Sequence, residues 1–161
     1  LRQAIQNQGW SLRQASLPWG QLCACDFWKH QVLIAHDLKE NLECPERYSE
    51  VLHWLLASQL GHIRLHALKV LQGRMSPLLE LQATEYAMAF LLPAPLLQSH
   101  PDIEFLCKTQ PPPRERWKRL ARVAEHFQVP TSCLEATLER HGWLTRRPLS
   151  QDHKTLIEKA S

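Results

Sequence analysis

The chain has 161 residues, of which 44% are apolar and 22% are charged, so it can form one domain with a sizeable core and a small appended unit. A formal net charge of +3 is too small by itself to indicate a nucleic-acid-binding protein, because such domains cluster Lys and Arg on one face. No run reaches about 18 apolar residues, which excludes a membrane-spanning helix. The first residues also lack the apolar region of a secretory signal. The five cysteines form no CxxC pair, which favours reduced thiols, and we expect a cytoplasmic protein.

The first 35 residues predict a short helix and three strands. Residues 1–9 are typical of a helix end that stops at a glycine. Alternating or apolar runs at 10–15, 21–27 and 31–35 are typical of β-strands. Trp28–His30 is short enough to join the second and third strands as a hairpin. We therefore expect a small antiparallel sheet at the start of an α+β fold.

The stretch from Tyr48 to His66 predicts one amphipathic helix. At about 100° per residue its apolar side chains fall on one arc, as a core-facing helix requires. These side chains are Leu52, Leu56, Leu60, Ile63, Ala67 and Val70. Ser58 and His62 are four residues apart and therefore lie on the same face.

Positions 58–62 resemble in part the HExxH motif of zinc peptidases. Such a helix carries HExxH, because the two His bind one metal and the Glu takes a proton from metal-bound water. Here the same positions read SQLGH, so only His62 is retained. Ser58 replaces a ligand, and Gln59 replaces the base by an amide that cannot accept a proton near neutral pH.

After a predicted loop at 72–75, a second helix is expected from Ser76, the N-cap, and Pro77, the first helical residue, to Leu92. Pro93 ends it. Its apolar face would pack against the central helix. This face consists of Leu79, Ala83, Tyr86, Ala87, Phe90 and Leu91.

The order of these motifs resembles the ImmA/IrrE family of metallopeptidase-like regulators, whose pattern runs roughly RxxFTxAHELGHxxLH and then EANxFAxxLLMP. The matching segments are ERYSEVLHWLLASQLGHIRLH at 46–66 and QATEYAMAFLLP at 82–93. The resemblance implies a zincin-like helical domain over residues 1–100 with a degenerate cleft. The cleft residues would be Ser58, Gln59, His62, His66 and Gln82, the last at the position of the third zinc ligand. We therefore expect no catalytic residue, no zinc and no other cofactor.

In that family an edge strand holds substrate backbone by strand addition, and the substrate is a helix-turn-helix repressor. The resemblance places this edge at residues 31–36. Candidate partner-binding residues there are Gln31, Val32, Leu33 and Ile34. Because recognition can outlive lost chemistry, the resemblance implies a protein that binds a repressor without cleaving it.

The prolines at 101 and 111–113 predict a linker over 101–113, since none of them suits a helix interior. Residues 114–148 then predict a helix-turn-helix-like unit, and 149–161 a polar tail. The first helix of the unit is basic, and possible nucleic-acid contacts are Arg114, Arg116, Lys118, Arg119 and Arg122. Glu135 and Glu139 on the second helix disfavour base reading, because acids meet phosphates badly.

Three hypotheses follow, and none of them involves a membrane. The favoured one is a non-catalytic, peptidase-derived protein that binds a partner protein. The second is an active zinc metallopeptidase in which other histidines join His62, namely His36, His53 and His66. The third is a DNA-binding transcriptional regulator that acts through residues 114–148.

Overall fold

The computed structural model describes residues 1–71, 76–109 and 111–144, and over these ranges the protein has an α+β fold. A short helix α1 (Arg2–Gln6) precedes the strands β1 (Ser11–Ala15), β2 (Cys23–Asp26) and β3 (Gln31–Ala35). All three predicted strands are confirmed. The predicted hairpin between the second and third strands is also confirmed, because β2 and β3 pair antiparallel.

The sheet is mixed, with β3 at its centre between β1 and β2. β1 runs parallel to β3 with Ser11 opposite Gln31, whereas β2 runs antiparallel with Cys25 opposite Val32. Two predictions are therefore wrong. The sheet is not purely antiparallel, and the candidate edge (Gln31, Val32, Leu33 and Ile34) is the central strand, whose backbone groups are used in ladders on both sides.

The long helix α2 (Tyr48–Leu71) follows a 3-10 turn at Pro45–Arg47 and confirms the predicted central helix. Its apolar stripe packs against the sheet: Leu52, Leu56, Leu60 and Ile63 are buried in one cluster with residues of α1, β2 and β3. Ala67 lies at the border of that cluster. The side chain of Val70 and the predicted loop at 72–75 lie outside the described residues.

Helix α3 (Pro77–Leu91) packs on α2 at very short range. A Cβ added to Gly61 would lie 3.0 Å from the carbonyl oxygen of Ala83 and 3.1 Å from its Cα. Only glycine lets the two backbones approach this closely. This crossing point fixes which α3 side chains face the histidines that follow Gly61 on α2.

The segment after α3 is helical rather than a linker. It contains α4 (Ala94–Gln98) and α5 (Pro101–Lys108), so the linker predicted at 101–113 is wrong for its first eight residues. Pro101 is the first residue of α5, and Nδ1 of His100 accepts the backbone N–H of Asp102 as a cap. The proline starts a helix there because the first helical position needs no N–H donor.

Helices α6 (Pro113–Phe127) and α7 (Thr131–Arg140) complete the described fold. With α4 and α5 they enclose a second apolar cluster, which consists of Leu92, Leu97, Ile103, Leu106, Leu120, Val123, Ala124, Val129, Leu134, Leu138 and Leu144. The second cluster therefore begins at the end of α3, not at residue 114. An ion pair between Arg140 of α7 and Glu85 of α3 links the two halves. The tail at 149–161 lies outside the described residues, and the zincin-like and helix-turn-helix-like assignments stay predictions.

No helix in the described ranges is both long and apolar enough to cross a membrane.

Candidate functional site

A groove of about 540 Å³ lies between β2 and α2. Its walls are the segment 20–25 and Phe27 on the sheet side, with residues of α2 and Glu80 of α3 opposite. The α2 residues are Leu55, Ser58, Gln59 and His62. Three of the five predicted cleft residues therefore meet in one groove. His66, which is 1% exposed, and Gln82 lie behind the wall formed by His62.

The strand that borders the groove is β2. The N–H of Ala35 donates to the carbonyl of Leu22 at 3.0 Å, and partner residues in an antiparallel ladder alternate between bonded and non-bonded pairs. The backbone N–H and C=O groups of Cys23 and Cys25 consequently point away from β3. No further strand pairs with that side of β2 among the described residues, so the edge of the sheet at the groove is β2.

Four side chains form a continuous hydrogen-bonded chain across α2 and α3. Oε2 of Glu80 is 3.2 Å from Nε2 of His62, and Nδ1 of His62 is 3.3 Å from Nδ1 of His66. Nε2 of His66 is 3.0 Å from Oε1 of Gln82. Both rings are buried, and Glu80 at the end of the chain is 61% exposed. The chain therefore connects an exposed carboxylate to the interior.

The orientation of the Gln82 amide determines how many protons this chain holds. When Oε1 accepts from Nε2–H of His66 and Glu80 accepts from Nε2–H of His62, one of the two rings must also donate from Nδ1, which requires an imidazolium. When the amide is rotated by 180° its NH₂ donates to His66, and each ring then donates onward with one proton. Every bond is then made with both rings neutral.

Burial lowers the pKa of His62 below its ordinary value of 6.5, although the neighbouring Glu80 carboxylate partly offsets this effect. The charged ring is disfavoured because the buried site cannot solvate it. Near pH 7 His62 is therefore neutral, which agrees with the arrangement in which the Gln82 amide donates. His62 then donates one hydrogen bond to Glu80 without cancelling its charge.

The residues of the groove do not fit a catalytic zinc ion. Such a site needs three protein ligands with nitrogen, thiolate or carboxylate donors. His62 and Glu80 supply two, whereas Ser58 offers only a hydroxyl and the amide of Gln82 is directed at His66. No group of three His, Cys, Asp or Glu in the described part of the chain is placed to hold a metal.

The other histidines of the metallopeptidase hypothesis do not complete the set. His53 lies in a different groove beside Leu1 and Tyr48, and His36 is exposed just after β3. His66 reaches His62 only ring to ring, with its second nitrogen bonded to Gln82. Absence of zinc remains a prediction, which elemental analysis can test.

The two thiols that line the groove are poor nucleophiles. Burial raises the pKa of Cys23 to about 12 and raises that of Cys25 still further, with the charges of Cys23 and Glu80 adding to the effect on Cys25. The thiolate is the reactive form, and neither residue forms it near neutral pH. Sγ of Cys25 lies 3.9 Å from the backbone oxygen of Gln59 instead.

In the structure Glu80 contacts His62, whereas Gln82 contacts His66. The alignment placed the third ligand at Gln82, but it is Glu80 that reaches His62. Helical spacing shows which residues share a face of α3, yet it does not give the rotation of α3 against α2. The sequence did contain one chemical indication, because Glu80 is the nearest acidic residue before the second motif at 82–93.

Most of the candidate nucleic-acid contacts are used inside the protein. Asp102 of α5 accepts hydrogen bonds from Arg119 at 2.7 Å and from Arg122 at 2.8 and 3.1 Å. Arg116 lies 3.9 Å from Glu135, and Arg119 also stacks on the ring of Phe105 at 3.6 Å. Of the five predicted residues, the remaining two, Arg114 and Lys118, are exposed. The basic face is therefore largely a packing surface between α5, α6 and α7.

Comparison with known proteins gives no family model, no curated protein and no solved structure that matches this chain significantly.

Proposed function

We propose that this protein is a non-catalytic, peptidase-derived regulator that binds an extended segment of a helix-turn-helix repressor without cleaving it. The observation that carries the proposal is the groove between the free edge of β2 and the face of α2 that bears Ser58, Gln59 and His62. The resemblance to ImmA/IrrE proteins implies strand addition at a sheet edge beside the motif helix, and although it placed that edge at 31–36, the free edge at the groove is β2.

The backbone of β2 supports strand addition. Cys23 and Cys25 direct their N–H and C=O groups away from β3, so an added strand can form a regular ladder with them. Their side chains contribute little chemistry, since both thiols stay protonated. Main-chain hydrogen bonds would supply the affinity, and the side chains of the opposite wall would supply specificity.

The chemistry of the groove supports binding without cleavage. Hydrolysis by this class of site needs a metal-bound water and a base that removes its proton. Gln59 at the base position is an amide, and Ser58 at a ligand position is a neutral hydroxyl. A bound peptide bond would therefore meet hydrogen-bonding groups but no activated water.

Two exposed tryptophans flank β2 and support an interface there. Trp19 lies in the turn before the strand and Trp28 in the hairpin after it, and both are almost completely exposed. Tryptophan is enriched among residues that dominate binding energy. Loss of binding in Trp19→Ala or Trp28→Ala, but not in Trp117→Ala on α6, is the expected pattern.

The direct test mixes the purified protein with the repressor encoded nearest to its own gene. We expect a complex in size-exclusion chromatography and an intact repressor on a denaturing gel. Ser58→Arg fills the groove and should abolish the complex, whereas Ser132→Arg, at an exposed position of α7, should leave it unchanged. Cleaved repressor, or a complex equally stable with Ser58→Arg, would contradict the proposal.

The DNA-binding alternative has its own readout. Arg114 and Lys118 are the candidate phosphate contacts that form no ion pair given above, so their double Ala variant leaves the Asp102 cluster intact. Salt-sensitive DNA binding that this variant loses would favour a DNA-binding regulator.

A further inference from the structure

We infer that the groove selects a partner segment that presents a lysine or arginine opposite Glu80. This inference rests on the proposed function and adds the chemistry of the bound segment. Among the described residues that line the groove, Glu80 is the only one with a formal charge apart from the titratable His62. The other lining residues are apolar, neutral amides, a hydroxyl or protonated thiols.

The carboxylate of Glu80 is both oriented and available. His62 holds Oε2 at 3.2 Å, and in the described part of the chain no hydrogen bond reaches Oε1. The side chain is 61% exposed, so a ligand can approach it without displacing protein atoms. A fixed carboxylate with one free oxygen is suited to a charge-assisted bond from an ammonium or guanidinium group.

Neutral His62 is the reason why this charge remains uncompensated. An imidazolium would form an ion pair with Glu80 and cancel the field in the groove. The ring is instead surrounded by Cys25 of β2, His66 of α2 and Glu80 of α3. Burial lowers the pKa of His62, so its ring is neutral near pH 7, and Glu80 is the one acidic side chain among the described residues that line the groove. A cationic side chain is attracted and an acidic one is repelled.

The test uses pools of randomised octapeptides, acetylated and amidated, in which one position is fixed as Lys, Arg, Gln or Glu. Binding is measured by fluorescence anisotropy at pH 8 and low ionic strength. At one fixed position we expect Lys and Arg pools to bind about three- to tenfold more tightly than Glu pools, the range for attraction and repulsion at a partly exposed charge. Glu80→Lys should invert this ranking, and Glu80→Gln should remove it.

Glu125→Lys is the matched control, because Glu125 is exposed on α6 and remote from the groove. It makes the same charge change as Glu80→Lys and should keep the original ranking.

The outcomes separate this inference from the proposed function. If the repressor complex forms and Ser58→Arg abolishes it, but the peptide pools show no charge preference, the inference is overturned while the proposed function stands. An unchanged ranking in Glu80→Lys overturns it as well. If neither the repressor nor any pool binds, both fail.

Discussion

Substitution of Gly61 by Ala probes the contact that positions the site. The new Cβ would lie 3.0 Å from the carbonyl oxygen of Ala83 and 3.2 Å from Cβ of Tyr86, about 0.4 Å too close for the first of these. A helical backbone cannot rotate away, so α2 and α3 must separate. Overpacking of this kind costs about 1–3 kcal/mol, whereas Gly to Ala in a helix otherwise gains about 1 kcal/mol. We expect a net loss of about 1 kcal/mol in the free energy of unfolding.

Urea unfolding followed by circular dichroism measures this loss. Ala136→Gly, at an exposed position of α7, calibrates the helix-propensity term. The site provides a second readout, because separated helices admit water beside His62. Its pKa, lowered chiefly by burial, should rise towards the ordinary value in an NMR titration. A Gly61→Ala protein that is about 1 kcal/mol more stable, with an unchanged His62 titration, would refute the reasoning.

Three further predictions concern metal, charge and pH. The unaltered protein should contain no zinc on elemental analysis, whereas the double variant Ser58→His with Gln59→Glu should bind zinc. The reason is that Glu80, which lies 3.2 Å from His62, can act as the third ligand. A zinc content of the double variant no higher than background would contradict this prediction. Asp102→Asn should lower stability by about 1 kcal/mol in urea, a value discounted for solvent screening, because the two arginines of α6 lose their charged partner and an NH₂ group replaces one of its two acceptor oxygens. An unchanged midpoint would contradict the packing role of this cluster. The lowered pKa of His62 means that the unfolded chain binds more protons, so stability should fall as pH drops below 6.5 and level off beneath the folded-state value. His62→Asn should show a shallower slope between pH 7 and pH 5, and an identical slope would contradict the assignment.

The local elements could be predicted from the sequence because their causes are local. Alternation identified the strands, and the apolar stripe of α2 identified its buried face. Strand order could not be derived from alternation, since the pairing depends on the path of the loop at 16–22. One sign was present all the same: residues 31–35 are nearly continuously apolar, which is typical of a strand covered on both faces and paired on both edges.

Two prolines were misinterpreted. Pro77 was correctly predicted to start a helix, whereas Pro101 and Pro113 were assigned to a linker although they occupy the same first helical position. The candidate cleft was partly predictable, because four-residue spacing places Ser58 beside His62. The contact of Glu80 with His62 could not be predicted, because it depends on the crossing of α2 and α3.

Helix α3 makes the two halves of this chain inseparable. Its first turns carry Glu80 and Gln82 to the buried histidines, and its last residue leads directly into Leu92 of the second cluster. A fragment that ended at residue 100 would therefore expose Leu92 and Leu97 to water, and burying a leucine is worth about 1.5–3 kcal/mol. Fragments made by cutting the chain at the prolines would be poorly folded and prone to aggregate. The smallest fragment suitable for biochemistry therefore extends at least to Leu144.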